Sequence, residues 1–453
     1  MQLIVRSLIL LSLGLLVAPT TSAVTDDDRV AAYRAFRTLF DAGNYQAALP
    51  VAENVVKLTE IQHGAEDRSL VNPLTNVGTT QLKLGNHAAA EASYLRAVQI
   101  LERSATTTDR QFIAPLHGLG STYLAVKRPD SAVAPLKRAL DLTRNLDGLY
   151  NLEQLPILRQ LIDAYVATGD FADAEKEHNY AYRVVTTAYG NDDPRLLEPL
   201  DQLAGWYEFV GRYATARSYH ERALGIIDRD GKRNDPRKVQ ALRGIARSYR
   251  LEYLYGPEKA EEPATDAFGR PLLNFENVQA GQQQRRLEQA LLLARQIVAT
   301  NEPVDQRLLG ETLVDLGDWY LISGSVAAAK EQYRKAWDAL REAGDTALLN
   351  TPRQLAYRPS PFAVGRSRLD PTEATAQPVE LRFTVTSEGR VRGVTAAPTD
   401  ISDGIVRSVS TALGRSRYAP RIENGEAVDT DGVIFVEQVL VRNPSDSASE
   451  TSP

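Results

Sequence analysis

The chain of 453 residues contains no cysteine. That excludes a disulfide framework, a thiol nucleophile and a cysteine-based metal site. It also excludes a lipoprotein anchor, which needs a cysteine after its leader. Histidines number five and are scattered. There is no His-Glu-x-x-His, no Gly-rich phosphate loop follows a strand, and no spacing of Ser, His and Asp selects a triad. Carboxylates and histidines do not cluster with ligand spacing. An excess of one charge is lacking too: 52 basic and 58 acidic residues give a net charge of −6, with no nucleic-acid footprint. Beyond Ala18 no apolar run is long enough to span a bilayer. These absences point away from an enzyme, and no cofactor or metal is expected.

What remains is an ordinary globular composition, 43% hydrophobic and 24% charged, over a length that implies two or more modules. The N-terminus has one basic residue, Arg6, then an apolar run from Leu8 to Ala18. Pro19 and Thr21-Ser22-Ala23 follow, with small residues at −3 and −1 of a cut after Ala23. This is the pattern of a cleaved secretory signal peptide over 1–23. A retained anchor is the alternative, although the run is shorter than the roughly 20 residues a span requires. Cleavage would leave the mature protein exported, in the periplasm.

From there the chain repeats. Turn positions fall at Gly43, Gly85, Lys127, Gly169 and Gly211, 42 residues apart. Five residues after each sits Ala48, Ala90, Ala132, Ala174 or Ala216, and twelve after each sits Val55, Ala97, Ala139, Ala181 or Ala223. Tyr123, Tyr165 and Tyr207 precede three of the turns by four residues. Gly324 rejoins the scheme with Tyr320, Ala329 and Ala336. Such self-similarity marks an array of helix-turn-helix units. Small residues sit where two helices must approach, and glycine ends the first helix. Pro73, Pro115 and Pro199 fit first helical turns, where the amide has no intrahelical partner. About seven units fill 24–344. The sixth is interrupted over 255–281 by Pro257, Pro263, Gly269, Pro271 and the run Glu258-Lys259-Ala260-Glu261-Glu262. The interruption is a functional lid or neutral drift.

The mid-helix Gly120, Tyr123, Ala132 and Ala139 resemble the tetratricopeptide repeat. The 42-residue period and the step Asp193-Pro194 resemble its longer kinesin-light-chain type. The resemblance implies an α-solenoid whose groove is lined by the first helix of each unit, and a protein or peptide partner. In that register the groove presents Asn76, Thr79, His117, Ser121, Arg159, Gln160, Asp163, Asp201, Gln202, Arg243, Arg247 and Arg250. The last three are spaced four and three, so they share one helical face. They suit an acidic peptide or a carboxylate terminus, or else a solvated face of local ion pairs. Arg159 and Asp163 form an i,i+4 pair. His178 and His220, one period apart, are expected to pack inside the repeats.

Composition shifts near Gly344. Residues 345–378 are rich in proline and read as a linker. Val379, Leu381, Phe383 and Val385 then alternate as a strand. Glu388-Gly389 turns into a return strand with Val391 and Val394. Ile401 to Leu413 has helical spacing, and Val433 to Val441 reads as a third strand. This strand-strand-helix-strand order over 379–442 resembles the TonB C-terminal domain. The resemblance rests on the first strand, Gly389-x-Val391, Arg417-Tyr418-Ala419-Pro420, and Gly425-x-Ala427-Val428, where Ala427 replaces a proline. Tyr357-Arg358-Pro359 matches an upstream step loosely. The family's long proline-rich spacer is absent. The resemblance implies that the last strand, with Val433, Ile434, Phe435, Val436 and Val439, is a sheet edge able to accept a partner strand. Residues 443–453 are expected to be a disordered tail. The expected fold is thus mainly α, a solenoid followed by a small α+β (ββαβ) domain. The expected function is an exported, non-enzymatic adaptor of the cell envelope. The alternative is a TonB-like transport component engaging outer-membrane receptors.

Overall fold

The computed structural model describes residues 25–104, 106–229, 231–256, 275–367, 369 and 374–442. The expected signal peptide, most of the interruption in the sixth unit and the expected tail lie outside the described residues. The helices come in hairpins: α1 (Asp26–Asp41) with α2 (Tyr45–His63), α3 (Val71–Lys83) with α4 (His87–Ser104), α5 (Ile113–Ala125) with α6 (Pro129–Asp147), and α7 (Leu155–Thr168) with α8 (Phe171–Tyr189). Then follow α9 (Leu197–Phe209) with α10 (Tyr213–Asp228), α11 (Lys238–Tyr255) with α12 (Phe275–Thr300), and α13 (Gln306–Ile322) with α14 (Val326–Glu342). Two compact units, 1–184 and 185–453, divide the chain inside α8.

Each hairpin is set by the same local chemistry. The turn residue is left-handed at Gly43, Gly85, Gly169, Gly211 and Gly324, with φ between 73° and 90°. Lys127 adopts the same conformation at φ 58°, at a cost of about 1 kcal/mol relative to glycine. Five residues on, Ala48, Ala90, Ala132, Ala174, Ala216 and Ala329 are completely buried. A longer side chain there would push the paired helices apart.

A second periodic device sits between hairpins. Asp67, Asp109, Asn151, Asp193 and Asp235, again 42 apart, each accept the amide N–H two residues on at 2.8–2.9 Å. The first four open a single 3₁₀ turn that leads into the next helix. Of these residues only Asp193, with Pro194 after it, was singled out in the sequence, although Pro236 follows Asp235 in the same way.

The second unit continues past α14 into strands. These are β1 (Arg353–Ala356), β2 (Ala374–Val385) and β3 (Val391–Ala396), then α15 (Asp403–Gly414). Next come β4 (Arg417–Ala419), β5 (Arg421–Glu423), β6 (Glu426–Val428) and β7 (Thr430–Arg442). One antiparallel sheet has the order β3-β2-β7, while β1 pairs with β4 and β5 with β6. Val379, Leu381, Phe383 and Val385 of β2 are buried with Val409 and Leu413 of α15 and Val439 of β7. The stretch read as a linker is not all linker: it contains β1, and β2 begins inside it. Pro378 is accommodated because β3 reaches back along β2 only as far as Leu381, so Pro378 has a strand on one side alone.

The strands are not tethered loosely to the last hairpin. Leu313, Leu321, Tyr333 and Leu340 form one apolar cluster with Leu349, Ala419 and Ile422. No described helix is long and apolar enough to cross a membrane.

Candidate functional site

In the second unit, first helices of successive hairpins pack side by side, α9 on α11 and α11 on α13. Between α11, α12 and α13 lies a pocket of about 390 Å³. One wall is Gln240, Arg243, Arg247 and Arg250 of α11, and the opposite wall is Leu308, Glu311, Asp315 and Trp319 of α13. Leu287 and Leu291 of α12 make its floor. The arginine trio picked out by spacing is therefore in one pocket.

The trio is not a bare basic patch. Arg243 donates to Asp315 through Nε at 2.6 Å and to Glu311 through Nη1 at 2.9 Å. Burial alone would favour its neutral form, but the two carboxylates outweigh that and hold it charged. Arg250 Nη1 lies 3.7 Å from the buried Asp318. Arg247 donates through Nε to Glu208 at 2.7 Å. Glu208 is nearly buried and also takes the Ser248 hydroxyl at 3.0 Å, with His220 Nε2 3.5 Å away. Desolvation pushes the Glu208 carboxyl up, but His220 and Arg247 together hold it below its ordinary value. His220 is itself buried, and its ring lies where a Cβ on Gly244 would be, at 2.3 Å.

Glu311, Asp315 and Asp318 repeat on α13 the four-and-three spacing of the arginines on α11. Sequence reasoning missed this acidic stripe. The matching spacing of opposite charges on successive first helices is the signal that could have found it. Arg247 is the exposed member, at 43%, and among the described residues only its Nε is engaged.

The other sequence-derived groove residues are placed as follows. Asp201 of α9 accepts from Gln240 at 2.9 Å, next to the pocket, and Gln202 is exposed and donates to Glu198. In the first unit, Asn76 and Thr79 lie on α3, and the Thr79 hydroxyl shares a 2.9 Å hydrogen bond with Tyr94. The Ser121 hydroxyl on α5 lies 2.7 Å from Gln160 Oε1 and 2.9 Å from the His117 carbonyl. Burial pushes the His117 imidazole below its usual value. Arg159 and Asp163 are exposed on α7. Partial desolvation raises the Asp163 carboxyl, while Arg159 opposes this across space. These residues form small polar contacts.

On β7, odd-numbered side chains face the core: Val439 is buried, and Val433 and Phe435 pack partly against it. Ile434 and Val436 point away and are 52% and 49% exposed. The outer edge is half covered. Val364 donates to Gln438 and Leu440 donates to Phe362, both at 2.9 Å. By strand parity the backbone groups of Ile434 and Val436 face that same outer side.

Stacked helical hairpins with left-handed turn glycines and buried alanines define a helical-repeat protein. The tetratricopeptide repeat profile matches residues 32–103 and 153–229, so the chain carries tetratricopeptide repeats. No curated protein matches the chain significantly. Among solved structures, the kinesin-light-chain TPR-like repeats of Podosopora anserina are 18% identical, covering 44% of this chain and 95% of that one, with a TM-score of 0.41. The C-terminal part of a TPR repeat-containing protein of Cytophaga hutchinsonii is 14% identical, covering 68% and 95%, with a TM-score of 0.44. YrrB, a TPR protein with an unusual peptide-binding site, is 14% identical, covering 45% and 88%, with a TM-score of 0.32.

Proposed function

We propose that this protein is an exported, non-enzymatic interaction scaffold of the cell envelope that binds a protein or peptide partner through its helical repeats. The observation that carries the reading is the pocket of α11, α12 and α13. It joins an apolar floor to one exposed guanidinium whose neighbours are already neutralised. Such a site suits a peptide with one carboxylate or carbonyl anchor beside an apolar side chain. It does not suit a long acidic segment, because Glu311 and Asp315 would repel it. A photo-crosslinking residue at Gln240 should capture the partner in the native envelope. Arg247→Ala should then weaken binding of that partner by about tenfold, the scale of a lost charge-assisted hydrogen bond. Unchanged affinity, with the helical signal intact, would overturn the reading.

Export rests on the leader-like N-terminus. The mature chain should begin Val24-Thr25-Asp26, and full-length protein in the membrane fraction would count against it. A second reading is favoured by the exposed edge at Ile434 and Val436. In it the strands act as a TonB-like module, binding an outer-membrane partner by strand addition.

A further inference from the structure

A second pocket of about 690 Å³ lies in the second unit, between the end of α11, the turn after β1 and the helix α15. It is separate from the pocket of the arginine trio. Four arginines line it, Arg358, Arg366, Arg407 and Arg415, and among the described residues no aspartate or glutamate does. In a chain with a net charge of −6, four guanidiniums gathered in one concavity stand out. Two are held in place by carbonyls: Arg358 donates to Leu254 at 3.0 Å and Arg366 to Pro359 at 2.9 Å. Among the described residues Arg407 has one carboxylate near it, Asp403 at 4.0 Å, which is too long for a hydrogen bond.

Two further observations point to an anion. Ser360 lines the same pocket, is 1% exposed, and its hydroxyl has no hydrogen-bond partner among the described residues. A buried hydroxyl left unpaired is costly, and a ligand oxygen would satisfy it. Gly404, in the first turn of α15, also lines the pocket, and the N-cap Ser402 makes no side-chain cap there. The positive end of that helix therefore adds to the guanidiniums.

From this geometry we infer that the pocket binds a phosphate-bearing ligand. A lone carboxylate offers two oxygens to a lining that presents several guanidiniums. A phosphate group carries a charge of roughly −1.5 to −2 at neutral pH and offers three acceptor oxygens. Arginine matches it with paired donors. Leu254, Tyr255 and Ala412, among the rest of the lining, give an apolar side for the rest of the ligand. The phosphate is that of a soluble compound or of a lipid headgroup, and the two sources share this chemistry.

The test uses the full chain and two probes, inorganic pyrophosphate by calorimetry and sedimentation with phosphatidylglycerol vesicles against phosphatidylcholine vesicles. At least one phosphate probe should bind saturably and weaken as salt rises. Arg407→Gln with Arg415→Gln should weaken it by at least about tenfold. Both side chains are exposed, so the unliganded melting temperature should be preserved. Ser360→Ala provides a second variant, expected to weaken binding without altering its salt dependence. Pyrophosphate alone binding identifies a soluble ligand, and vesicles alone a lipid. Binding of neither, binding untouched by the double variant, or a polyglutamate peptide outcompeting both probes would overturn the inference.

Discussion

At the residue scale, the most regular feature is the set of loop carboxylates that each accept a backbone amide two residues on. They satisfy donors that would otherwise be unpaired at the start of each first helix. At Asp193 the bonds from the Arg195 side chain and amide hold the carboxyl at about 2, below its ordinary 3.8. A depressed carboxyl contributes stability above its unfolded value, and that contribution is lost as pH falls through the folded value. Stability should therefore drop between about pH 4 and pH 2. Asn151 makes the same amide bond with no charge to lose. It follows that Asp193→Asn should keep the cap and flatten that part of the acid transition, measured by chemical denaturation across pH. An acid transition as steep as the parent's would show that the carboxyl does not contribute. Each cap taken singly looks like any other polar turn residue, and only the shared 42-residue register sets Asp67, Asp109, Asn151, Asp193 and Asp235 apart. The turn glycines and buried alanines were legible because each copy repeats a residue type that only one conformation or one close approach requires.

At the element scale, sequence pattern predicts what an element buries on its own, and fails where its partner is distant. β2, β3, α15 and β7 were legible from alternation and helical spacing. β1 was not. It has four residues, and it pairs through Arg353 with Ala419, far along the chain. The acidic stripe of α13 was missed for the same reason: its meaning lies in α11. The exposed half of β7 offers the clearest element-level prediction. Its outward amides at Ile434 and Val436 have no strand partner among the described residues, while the next two outward positions are bound to Phe362 and Val364. Ile434→Pro removes one outward N–H without breaking a pairing to β2, which proline tolerates at an edge. If the edge receives a partner strand, this variant should lose capture in an envelope pull-down while its melting temperature changes little. Equal capture by the variant and the parent would remove strand addition from consideration.

At the scale of the second unit, the last hairpin and the strands share one core, and the turn before β3 is wedged between them. Gly389 has φ 72°, and a Cβ there would lie 2.2 Å from the Tyr418 carbonyl and 2.6 Å from a Leu321 methyl of α13. Gly389→Ala should cost about 3 kcal/mol, combining left-handed strain with overpacking. Gly393 provides the control. Its φ is 64° and nothing lies within 4 Å of a Cβ, so Gly393→Ala carries strain alone. Denaturation curves in which both variants lose the same stability would show that the wedge contributes nothing. The same junction contains Asp318, whose carboxylate takes the Tyr333 hydroxyl at 2.8 Å and Arg353 at 2.8 and 3.2 Å, with Arg250 farther off at 3.7 Å. Asp318 thus stays satisfied if Arg250 swings away. Arg243, locked by two short bonds, is not released so cheaply. The pocket consequently has one fixed post and one slack tether. A second positive charge can therefore turn into the pocket without unsettling the anchor that joins the repeats to the strands.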